Sequence, residues 1–175
     1  MLTGHTSHQI GLDADIWLTP MPDYEQSRLE REEKSATMIV AKDRLDVDPK
    51  VWTPSLLNVI KAAAQEPEVE RILVNPAIKK AICRDAKGDR SWLSKVRPFY
   101  GHDYHMHVRI KCPANYPECK PQDPPKNEDG CGEDLAKWFK PKKAPPEEPA
   151  PPKKPKPPLT LADLPPACRT VLSAP

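Results

Sequence analysis

The chain's five histidines fall in two short segments: His5 and His8 near the start, and His102, His105 and His107 far downstream. Imidazoles clustered in this way bind metals or move protons. His8 is followed seven residues later by Asp15, and His105 and His107 stand two apart. Residues two apart on a strand project to the same side, so an extended YHMHVRI segment sends both imidazoles to one face. Setting that strand beside the one carrying Asp15 gathers two imidazoles and a carboxylate around a common point. Three protein ligands with one position open form the donor set of a catalytic zinc ion, so Zn2+ is the expected cofactor. Other signatures fail. Arg109 and Ile110 break an HxHxDH pattern, no histidine follows His107, and HExxH, GxSxG and glycine-rich phosphate loops are absent.

The elements that must position these groups follow from periodicity. QIGLDADIWL (9–18) alternates, with Leu12, Ala14 and Ile16 on one face and Gly11, Asp13 and Asp15 on the other, which predicts a strand. In the 104–110 strand, Met106, Val108 and Ile110 face away from His105, His107 and Arg109. TMIV (37–40) and VERILV (69–74) read as further strands. Thr53-Pro54 is an N-cap followed by proline at the first helical position, and Leu56, Leu57, Ile60 and Ala63 supply an apolar stripe for a helix over 54–65. Residues 77–86 read as a second helix, 92–96 as a turn, 133–139 as a short helix, and 20–34 as a charged loop or surface helix. The fold class is α+β: a small, mostly antiparallel sheet with flanking helices and a zinc site on one face, followed by a proline-rich C-terminal arm.

Composition sets the boundaries. Of 24 prolines, 11 lie between Pro141 and Pro166, which divides the chain into a globular domain over 1–140, carrying the expected metal site, and an extended tail over 141–175. A net charge of +2, with Lys and Arg spread along the chain, gives no nucleic-acid footprint. No apolar run is long enough to span a membrane. The chain opens on its first histidine motif without a leader, so an N-terminally truncated domain is expected, with Met1 an internal methionine of a longer parent.

GHTSHQIGLDADIW resembles the first motif of the lysostaphin-type and D-alanyl-D-alanine metallopeptidases, and HDYHMHVRIKCP resembles their HxH motif. The particular forms GHxSHQxGLDxD and KVRPxxGHxxHxHVRxxCP resemble those of the penicillin-insensitive murein endopeptidases. That resemblance covers about residues 2–131. It implies zinc ligands His8, Asp15 and His107, with His105 as the catalytic residue beside the metal. His5 and His102 take further active-site positions, His5 within reach of the metal, and Asp43 is the place for a second metal. The implied substrate is the D-alanyl–diaminopimelyl cross-link of peptidoglycan, and the implied compartment is the periplasm. An open coordination position requires that only one of His105 and His107 bind the metal, and the resemblance makes that one His107.

The cysteines agree with an oxidising compartment. None of Cys83, Cys112, Cys119, Cys131 and Cys168 sits in a CxxC pair. Resemblance and the short Asn115-Tyr116-Pro117 turn together favour Cys112–Cys119 and Cys83–Cys131, with Cys168 free. Arg109 is a candidate for a substrate carboxylate or a structural ion pair. Tyr100, with Trp17, Phe99 and Tyr104, is a candidate cleft wall. Asp13 is either an acceptor that orients a histidine or a solvated strand residue. Two other functions stand beside the endopeptidase: a D,D-dipeptidase or carboxypeptidase of the same superfamily, and a non-catalytic peptidoglycan-binding protein.

Overall fold

The computed structural model describes residues 8, 11–117, 119–140, 160–163, 168 and 172–173. The chain divides into two units, Met1–Lys140 and Pro141–Pro175. His5 lies outside the described residues, as does the expected proline-rich arm over 141–175 apart from residues 160–163, 168 and 172–173.

Four strands, β1 (Asp13–Trp17), β2 (Val69–Val74), β3 (Val96–Pro98) and β4 (His105–Ile110), form one sheet in the order β1-β4-β2-β3. Pairing is antiparallel between β1 and β4 and between β4 and β2, and parallel between β2 and β3. The helices are α1 (Arg28–Glu33), α2 (Pro54–Gln65), α3 (Pro76–Asp85) and α4 (Glu133–Ala136). The result is a mixed α+β fold.

Local sequence explains the two long helices. The Thr53 hydroxyl accepts from the Leu56 amide and Pro54 opens α2, while the Asn75 side chain accepts from the Ala77 amide and Pro76 opens α3. Leu56, Ile60 and Ala64, four apart, bury one face of α2. With Ile78 and Ile82 of α3 they pack on Ile72, Val96, Met106 and Val108 of the sheet. Truncating fully buried Ile60 or Ile72 to alanine costs about 2–5 kcal/mol. The core thus occupies one face of the sheet, and the opposite face carries Asp13, Asp15, His105, His107 and Arg109.

Two expectations need correction. TMIV is not a strand. It contributes a single bridge, Val40 to Val47, because the Ile39 amide and carbonyl bond instead to the Asp103 carbonyl and the Asp48 amide. The 92–96 turn is a 3-10 helix, Ser91–Lys95, that leads into β3, a strand too short to show periodicity. Leu12, Ala14 and Ile16 share the apolar face that alternation gives them, yet only Leu12 is buried, because β1 is the edge strand.

Disulfides join Cys83 to Cys131 and Cys112 to Cys119, and Cys168 carries none. The first closes 48 residues and ties α3 to the segment before α4, a constraint worth about 2–5 kcal/mol. In the second unit Thr160 donates through its amide and hydroxyl to Asp163 Oδ2, both at 2.8 Å. Among the described residues no helix is long and apolar enough to cross a membrane.

Beside the first disulfide, Lys79 is fully buried, and its Nζ donates to the carbonyls of Leu93 and Asp129. Burial, reinforced by the neighbouring Arg97 charge, lowers its pKa from 10.5 to about 7. Between those two values the folded chain holds fewer protons than the unfolded one, so stability rises with pH across that window. Denaturant unfolding at a series of pH values should show this slope, and Lys79→Met should flatten it.

Candidate metal centre

The register of β1 on β4 builds the site. Asp15 stands opposite His107, Asp13 opposite Arg109 and Trp17 opposite His105, all on the face away from the core. A one-residue slip would turn every one of these groups into the core, so the apolar face of β4 fixes the chemistry as well as the packing.

Asp13 is the hub. Its side chain is 2% exposed. Oδ1 accepts from His107 Nε2 at 2.8 Å, and Oδ2 accepts from Arg109 Nη1 at 2.6 Å. Its backbone carbonyl accepts from His8 Nδ1 at 3.3 Å. Burial on this scale excludes the solvated alternative and makes Asp13 the acceptor that orients both imidazoles. Donation of one N–H to Asp13 leaves the other nitrogen of each ring turned to Asp15: His8 Nε2 lies 3.3 Å from Oδ2, and His107 Nδ1 lies 3.0 Å from Oδ1.

His8, Asp15 and His107 each offer a ligand atom within 4.8 Å of the other two. Two imidazole lone pairs facing a carboxylate repel one another unless a cation sits among them. The N–H groups anchored on the far sides are the usual outer support of metal-binding histidines. The donor set therefore fits a divalent metal, two nitrogens and a carboxylate oxygen matching zinc chemistry.

His105 adjoins this group, with Nε2 3.7 Å from Asp15 Oδ1 and Nδ1 buried without a hydrogen-bond partner. His102 Nδ1 bonds the Tyr100 carbonyl at 3.1 Å, and its ring centre lies 4.8 Å from that of His105. Burial lowers the pKa of both, which keeps them neutral near pH 7. The loop that carries His102 is clamped from behind. Buried Asp103 takes both guanidinium nitrogens of Arg44 (2.8 and 2.9 Å) and Asn75 Nδ2 (2.6 Å), and the Asn75 amide donates to the His102 carbonyl. Arg44 reaches this position with φ 63°, a conformation unusual for a side-chain-bearing residue.

His8, Asp13, Asp15, His102, His105 and His107 open on one cleft of about 580 Å3, walled by Phe99 and Tyr104. Of the remaining expected residues, Arg109 borders the cleft, while Tyr100 and Asp43 do not. Tyr100 does not line the cleft; its hydroxyl donates to the Trp138 carbonyl at 2.7 Å. Arg109 lines the cleft, but its charge is committed to Asp13. Asp43 lies on an exposed loop, where Oδ1 accepts from the Leu45 amide, apart from the metal-donor group. Arg71, on the VERILV strand, also lines the cleft, and no sequence signal singled it out.

The α+β fold brings two histidines and an aspartate within reach of one ion, with two further imidazoles beside them, a donor set of the kind that metal-dependent hydrolases use. The sequence profile of the penicillin-insensitive murein endopeptidases matches residues 1–173, and the chain belongs to that family. Relatives described as penicillin-insensitive murein endopeptidase are 48% identical in Yersinia enterocolitica, 46% in Pectobacterium atrosepticum and 48% in Klebsiella pneumoniae. Each match covers 97% of this chain and 58%, 58% and 59% of the relative, so the chain spans under two thirds of their length.

Asp13→Asn keeps the shape but weakens the acceptor that orients His107 and leaves Arg109 without its counter-charge. Affinity for a divalent metal, titrated against a competing chelator, should fall about 10- to 100-fold. Unchanged affinity would remove Asp13 from the orienting role.

Proposed function

We propose that the cleft hydrolyses the D-alanyl–diaminopimelyl cross-links of peptidoglycan in the periplasm, with Zn2+ held by His8, Asp15 and His107 and with His105 handling the proton. The observation that supports this most is the convergence of His8, Asp15 and His107 on one point, with His105 beside them in the same cleft. Zinc with an open position supplies Lewis acidity at neutral pH, to a water and to a peptide carbonyl.

The chain's own groups do the rest. Asp13 holds the two ligand imidazoles in the tautomers that metal binding requires. His105, with Nε2 on the Asp15 side, takes a proton from the attacking water at that nitrogen and returns it to the departing amine. His102, its Nδ1–H engaged by the Tyr100 carbonyl, presents Nε2 as an acceptor. Phe99 and Tyr104 line one side of the cleft and offer apolar contact to a peptide. This route forms no acyl-enzyme, so a β-lactam has no serine to acylate.

The test is digestion of purified cross-linked muropeptides by the full-length protein, read by mass spectrometry. Cleavage should persist in excess penicillin, stop with a chelator and return with zinc. His8→Ala, Asp15→Ala and His107→Ala should each lose most of the metal by elemental analysis, since a three-ligand site tolerates no loss. His105→Ala should retain near-stoichiometric zinc while kcat falls roughly 10²- to 10⁴-fold. Full zinc in any of the three ligand variants would overturn the assignment, and zinc loss in His105→Ala would overturn the division of roles.

A further inference from the structure

Two cross-strand rows lie side by side on the cleft face of the sheet. Across β1, β4 and β2 the first reads Asp15–His107–Leu73 and the second Asp13–Arg109–Arg71. The first row carries metal donors. The second is made of charges, and it does not balance locally.

Like charges directly opposite on neighbouring strands destabilise a sheet, and Arg109 and Arg71 are such a pair. Asp13 answers Arg109 at 2.6 Å, and its other oxygen is taken by His107. Arg71 has no such answer. Its Nη2 donates to a backbone carbonyl, that of Asp123, and its Nε is buried without a hydrogen-bond partner. Among the described residues no carboxylate pairs with it. Arg71 nevertheless lines the same cleft as His8, His102, His105 and His107. A guanidinium stays charged at any working pH and matches a carboxylate in planar, forked geometry.

We propose that Arg71 is the carboxylate-recognising residue of this cleft, holding an acidic group of the peptide whose bond is cut; this rests on the peptidoglycan reading above. Two residues of strand rise separate Arg71 from the level of His107, roughly 7 Å, the reach of a neighbouring residue's carboxyl from the scissile bond. A cross-linked muropeptide offers that chemistry twice, on diaminopimelate and on its terminal D-alanine. Arg71 thus selects among peptides, while Arg109, tied to Asp13, serves the metal centre.

A purely structural Arg71, clamping the Asp123 segment, would respond to every ligand alike. The discriminating experiment is calorimetric binding to the full-length, zinc-loaded protein in a His105→Ala background, so that the peptide is not consumed. The probes are a cross-linked muropeptide, the same peptide amidated at diaminopimelate, and the same peptide amidated at the terminal D-alanine. The acid should bind about 10- to 100-fold more tightly than one of the two amides, and which amide loses affinity identifies the carboxylate. Arg71→Ala should abolish that preference, and Arg71→Lys should restore part of it. Equal binding of all three peptides by the parent protein, or an Arg71→Ala that weakens all three by one factor, overturns the proposal. Cleavage by the otherwise wild-type protein is scored separately: acid preference without cleavage keeps Arg71 and sinks the endopeptidase reading.

Discussion

The site depends on one buried carboxylate. Asp13 lies between strands, its two oxygens divided between His107 and Arg109 and its carbonyl facing His8. A buried acid without partners would take up a proton rather than bear the cost of desolvation. Here a guanidinium at 2.6 Å supplies the partner, and the carboxyl in turn fixes the orientation of the His107 imidazole. Arg109 is thus two steps from the metal donors yet tied to their geometry. Removing one member of such a buried pair costs about 3–5 kcal/mol, because the other is left uncompensated.

A second constraint comes from behind the loop. Asp103 gathers Arg44 and Asn75, and Asn75 also caps α3 and holds the His102 carbonyl. The start of a core helix and the placement of a cleft histidine are therefore one hydrogen-bonded structure. The left-handed backbone at Arg44 costs free energy that the bidentate contact to Asp103 offsets. Gly101, at φ 83°, makes the turn that brings His102 over His105, where a side chain would be strained.

What could be read from the sequence follows the range of the interactions involved. The alternation in DADIW and HMHVRI put Asp13, Asp15, His105, His107 and Arg109 on single strand faces, because a two-residue period is a local property of extended chain. The Thr53-Pro54 start and four-residue apolar spacing marked α2 for the same reason. TMIV misled because β-branched residues favour extension without supplying a partner strand, and here Ile39 finds its partners in loops. The burial of Asp13 and the isolation of Arg71 were not legible. Both depend on which strand lies next to which, and the order β1-β4-β2-β3 sets residues almost a hundred positions apart side by side.

That order also governs the charge of the cleft. Its fixed charges are Asp13, Asp15, Arg71 and Arg109, which sum to zero when the histidines are neutral. On the proposed reading a bound divalent ion makes the cleft net positive, and the positive charge is not uniform. At the β1–β4 end it is concentrated where Asp15 helps hold the ion, which suits a polarised carbonyl. At the β2 end it rests on Arg71, one pleat away along the sheet. A peptide with a carboxylate beside a neutral amide would meet this field with the amide at the ion and the acid at Arg71, since only the ion can polarise a carbonyl. Orientation of the substrate thus emerges from strand order, the same feature that turns the histidines toward the aspartate.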